Sequence, residues 1–120
     1  MRLLTKRELQ MMTALWHSEN SLSAKEIGEL DPEISMNTIL AVLRKLLKSN
    51  LIKTDSVEMS GSTLMRKYVP ILQEEDYLTS AVSDKALKKI VAQYISESDT
   101  NEDLNQLEIL IEQRKKDINR

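Results

Sequence analysis

A mainly α-helical chain with one small β-hairpin is predicted by three observations. Apolar residues recur mostly at spacings of three and four along 120 residues that include only two Gly and two Pro. Two β-branched segments, Leu51 to Val57 and Thr63 to Val69, break that period and flank a turn at Met59-Ser60-Gly61-Ser62. Phe is absent, so Leu, Ile and Met supply a core that is modest at this length and open to enlargement by association.

Thr5 followed by Glu8 is a capping-box pattern opening the first helix, whose Leu9, Met12, Leu15 and Trp16 form an apolar stripe ending near His17. After a polar break at Glu19-Asn20-Ser21, Ser23 and Glu26 repeat the box and begin a short second helix with Ile27 and Leu30. Asp31-Pro32 ends it, because proline disfavours helical geometry in the residue before it. Ser35 is placed to cap a third helix that runs to about Ser49, with Asn50 as a left-handed stop. Helix, short helix, third helix and hairpin, in that order, predict a winged helix-turn-helix domain over residues 1–70. Past Pro70, Glu74, Glu75 and Asp76 favour a helix start through the macrodipole. A further helix after Ser83 carries Leu87, Ile90, Val91, Tyr94 and Ile95, and the last carries Leu104, Leu107, Leu110, Ile111 and Ile118. Such stripes have to be covered, so residues 71–120 read as a helical dimerisation region whose cover is the same element of a second subunit. Folding back onto the chain's own winged domain is the alternative.

The third helix carries the functional signal. No acidic residue occurs between Ile34 and Thr54, while Arg44, Lys45, Lys48 and Lys53 do. At about 100° per residue, Ile39, Val42, Leu43 and Leu46 face one side, with Asn37, Ala41, Arg44 and Lys48 opposite. Cations without interspersed carboxylates gain free energy by displacing the counterions condensed on a duplex. Lys53, Arg66 and Lys67 place further charge on the hairpin. The formal net charge of −2 hides a division: residues 1–70 hold ten Lys/Arg and eight Asp/Glu, and residues 71–120 hold seven and eleven. A winged-helix module that recruits a partner protein through its acidic half is the competing reading.

Other chemistries find no support in the sequence. Without Cys there are no disulfides, thiolate metal sites or cysteine nucleophiles. One His, at a helix end, complements the dipole rather than forming a ligand set, and the carboxylates at 74–76 have the same electrostatic explanation. No catalytic constellation, cofactor or metal site is expected, and no apolar run approaches the ~20 residues of a membrane helix, which favours a cytoplasmic protein.

Leu4-Thr5 with Glu8, Met12 and Leu15-Trp16, Leu22-Ser23-Ala24 with Glu26-Ile27, Thr38-Ile39 with Leu43 and Leu46, Leu51-Ile52, and Tyr68-Val69-Pro70 together resemble the penicillinase-repressor (BlaI/MecI) family, which also contains copper-responsive CopY repressors. The resemblance implies a homodimeric repressor on a palindromic operator, with Asn37 facing bases, Thr38 facing backbone and Lys45 at a basic position. The candidate DNA contacts are therefore Ser35, Asn37, Thr38, Ala41, Arg44, Lys45, Lys48, Lys53, Arg66 and Lys67. The family's usual Arg and hydroxyl after that threonine are Leu40 and Ala41 here. The candidate dimer contacts are Leu87, Ile90, Val91, Tyr94, Leu104, Leu107, Leu110, Ile111 and Ile118. The penicillinase branch also implies a protease linked to a membrane sensor, cutting at the bond corresponding to Gln93–Tyr94, although the segment after Pro70 is shorter and lacks that branch's Gly-Gly break. The copper branch needs C-terminal cysteines, which this chain lacks.

Overall fold

The computed structural model describes residues 3–120. Helix α1 (Lys6–Trp16) opens with a complete capping box in which the Thr5 hydroxyl accepts the Glu8 N–H and the Glu8 carboxylate accepts the Thr5 N–H. The same reciprocal pair at Ser23 and Glu26 opens α2 (Ala24–Leu30). Helix α3 (Met36–Lys48) is capped by Ser35 and ends in a Schellman turn, with Asn50 N–H bonded to the Leu47 carbonyl and Leu51 N–H to that of Leu46. Asn50 takes the left-handed conformation that the turn requires, at φ 59°.

The sheet has three antiparallel strands in the order β1–β3–β2, formed by β1 (Leu22–Ser23), β2 (Ile52–Ser60) and β3 (Thr63–Pro70). The hairpin is longer and its turn tighter than the sequence suggests. Ser60 pairs with Thr63, which leaves a two-residue loop whose first position, Gly61, has φ +66°. The strand β1 escapes the sequence reading because two residues carry no period; Leu22 and Ser23 become a strand by pairing with Tyr68 and Lys67.

Helix α4 (Glu74–Ser80), α5 (Asp84–Glu97) and α6 (Asn101–Ile118) complete the chain, which divides into two compact units between Ala81 and Val82. In the first unit, Met11, Met12, Leu15, Ile27, Ile39, Leu43, Leu46 and Ile52 are almost fully buried, and the core extends past Pro70 to Leu72 and Tyr77. Trp16 fixes that extension, because its indole N–H donates to the Leu72 carbonyl at 2.7 Å and its ring lies 5.8 Å from that of Tyr77. The Tyr77 hydroxyl in turn accepts the Leu4 N–H. The second unit, α5 and α6, contains no buried residue.

Candidate nucleic-acid interface

Burial of Ile39, Val42, Leu43 and Leu46 fixes the roll of α3 and turns Asn37, Leu40, Ala41, Arg44, Lys45 and Lys48 to solvent. The Ser35 hydroxyl accepts the Thr38 N–H at 3.2 Å and donates to the Thr38 hydroxyl at 2.9 Å, so both side chains are ordered at the exposed helix start. No acidic residue occupies the first turn, which leaves the positive end of the macrodipole uncompensated, while Lys45 and Lys48 complement the negative end. Lys53 and Arg66 are exposed on the hairpin. Among the described residues, Arg44, Lys45, Lys48, Lys53 and Arg66 form no ion pair.

Lys67 is placed differently. Its ammonium lies 3.5 Å from the Glu26 carboxylate and 3.9 Å from that of Glu58, and the side chain keeps only 22% of its surface. It fastens the hairpin to α2. Glu26 is held below its ordinary value of 4.5, first by the Ser23 N–H and hydroxyl, with partial burial acting the other way, and further by Lys67.

Exposed apolar residues join this surface. Leu40 of α3 shares a cleft of about 360 Å³ with Leu64, Arg66 and Tyr68 of β3. Met59 and Leu64 pair across the hairpin, both exposed. The sequence names Asn37, Ala41, Arg44 and Lys48 as the outward face; Leu40 joins them in the structure, and its neighbourhood with the hairpin depends on tertiary structure.

Elsewhere, His17 caps the end of α1 with Nε2 3.0 Å from the Glu74 carboxylate, at the acidic first turn of α4. Of the candidate dimer contacts, Leu87, Leu104 and Leu107 are half-buried, whereas Ile90, Val91, Tyr94, Leu110, Ile111 and Ile118 are exposed. Gln93 and Tyr94 lie within α5, where the Gln93 carbonyl accepts the Ser96 hydroxyl and Tyr94 is 54% exposed. No helix among the described residues is long and apolar enough to cross a membrane.

A capped, acid-free third helix followed by its hairpin wing defines a winged helix-turn-helix protein. The family model for penicillinase repressor matches residues 4–113, and the chain belongs to that family. No curated protein matches it. Similar solved structures include a MarR family regulator from Neisseria meningitidis, with 21% identity, TM-score 0.46, and coverage of 97% of this chain and 80% of that one. A Staphylococcus aureus MepR–DNA complex shows 11% identity, TM-score 0.43, and coverage of 97% and 80%. Staphylococcus aureus MarR with salicylate and kanamycin shows 17% identity, TM-score 0.41, and coverage of 97% and 73%.

Proposed function

We propose that this regulator is a homodimeric repressor that holds a palindromic operator with one α3 in each half-site and is released by cleavage at Gln93–Tyr94. The observation that carries the operator reading is the group of five exposed cations on α3 and the wing that form no ion pair among the described residues, beside a helix start free of carboxylates. Titration with promoter DNA should show binding that weakens with salt at a log–log slope near −0.9 for each phosphate contacted. A flat salt response, or equal affinity for every sequence, would remove the reading.

The apolar faces of α5 and α6 support a second copy as their cover, since neither helix buries a residue in the single chain. Light scattering should return twice the chain mass. Cutting within α5 would part α6 from the unit that carries α3, separating the cover from the DNA contacts. Mass spectrometry of cells in which the target genes are switched on should find a fragment ending at Gln93. Persistence of only the full-length chain under those conditions would exclude release by cleavage.

A further inference from the structure

We propose that the aliphatic residues in the early turns of α3 read the 5-methyl group of thymine, so that each operator half-site is centred on A·T pairs with one thymine methyl packed on Leu40. The inference rests on the operator reading above and supplies the base chemistry that reading leaves open. Asn37, Leu40, Ala41 and Arg44 are all exposed, and two of the four are apolar. Leu40 keeps 43% of its surface. An exposed leucine alone needs no explanation, but this one lies among the outward residues of a helix that also carries unpaired Arg44, Lys45 and Lys48.

Residues in the early turns of a recognition helix approach base edges, whereas longer basic side chains reach phosphates. In the major groove those edges display one apolar group, the C5 methyl of thymine. Asn37 precedes Leu40 by three residues and Ala41 by four, so it is flanked by both on the helix surface. Its carboxamide matches the N6 and N7 pattern of adenine. An adenine at Asn37 beside a thymine whose methyl packs on Leu40 is the arrangement these residues accept. Guanine O6 and N7 require donors, which neither Leu40 nor Ala41 provides, so these two positions carry no guanine-reading chemistry. Leu40 lines the cleft together with Leu64 and Tyr68 and remains 43% exposed, so a methyl group can reach it.

The test begins with selection of preferred duplexes from a random pool by the full-length protein. Each thymine of the selected operator is then replaced singly by deoxyuridine, which removes the methyl and leaves base pairing intact. Binding should weaken about fourfold at one thymine per half-site, the worth of one buried methyl group. That loss should vanish in the Leu40→Ala protein, because no leucine remains to receive the methyl. Deoxyuridine operators that all bind as tightly as the parent, or a loss unchanged in Leu40→Ala, would overturn the inference. A protein that selects no sequence at all would instead overturn the operator reading.

Discussion

At the scale of single residues, the surface of α3 separates side chains that contribute attraction from those that contribute discrimination. Arg44 and Lys48 are exposed, unpaired and long enough to reach phosphates, so Arg44→Ala or Lys48→Ala should weaken binding to all duplexes alike. Each should also reduce the salt slope by about 1, measured by titration at several ionic strengths. Asn37 is short and sits in an early turn, so Asn37→Ala should relax preference at one position, at a cost of about 1–3 kcal/mol for the preferred base. If the two classes exchanged behaviour, the roll assigned to α3 from its buried residues would be wrong. Glu26 gives a residue-scale effect on stability. Its carboxyl is held below 4.5 chiefly by the Ser23 N–H and hydroxyl, opposed by partial burial and aided by Lys67. A depressed folded-state pKa contributes stability that is fully present above the unfolded value and is lost as pH falls through the folded one. Acid unfolding of Glu26→Gln should therefore show a shallower decline below about pH 4.5 than the parent protein, because glutamine has no proton to take up. Identical acid limbs would mean that Glu26 is no better stabilised in the fold than in the unfolded chain.

At the scale of elements, the test is how α4 is attached. Trp16 donates to the Leu72 carbonyl and lies in a tilted ring contact with Tyr77, whose hydroxyl accepts the Leu4 N–H, so three contacts tie the start of the chain to the segment beyond Pro70. Trp16→Phe removes the donor from a half-buried site and should cost about 1–3 kcal/mol. In a unit of this size each kcal/mol corresponds to roughly 4–8 °C, so calorimetry should show a clear fall in Tm. An unchanged Tm would mean that α4 is an appendage rather than part of the core. This attachment also marks where the sequence stops being legible. The caps at Thr5, Ser23 and Ser35 and the Asn50 stop could be read directly, because each is satisfied by groups within five residues. The buried stripe of α3 could be read because one helix's period decides it. The pairing of Leu22 with Tyr68, the Trp16–Leu72 bond and the capture of Lys67 by Glu26 and Glu58 join residues distant in sequence, and no local pattern announces them. For the same reason the hairpin's outward cations, Lys53 and Arg66, could be named from composition, while nothing separated them from Lys67.

At the scale of the whole molecule, the two units have opposite needs. The first buries a continuous core that runs from Met11 to Tyr77. The second exposes its apolar side chains: Ile90 at 53%, Ile111 at 48% and Ile118 at 65%. Each large aliphatic side chain that gains full cover contributes about 1.5–3 kcal/mol, and a twofold interface counts every such contact twice. Leu107 sits within the α6 stripe between Leu104 and Ile111, so Leu107→Asp sets a carboxylate into the proposed interface from both subunits at once. The variant should scatter light as a single chain. Its affinity for an isolated half-site should match that of the parent, because α3 and the wing belong to the other unit. Its affinity for the full operator should fall by about 10²–10⁴-fold, the gain that linkage gives two half-sites read by one dimer. Thermal unfolding of the first unit should be unchanged, which distinguishes loss of the interface from loss of the fold. A monomeric Leu107→Asp protein that still held the full operator as tightly as the parent would show that one α3 is enough and that linkage of two half-sites is not the source of operator affinity.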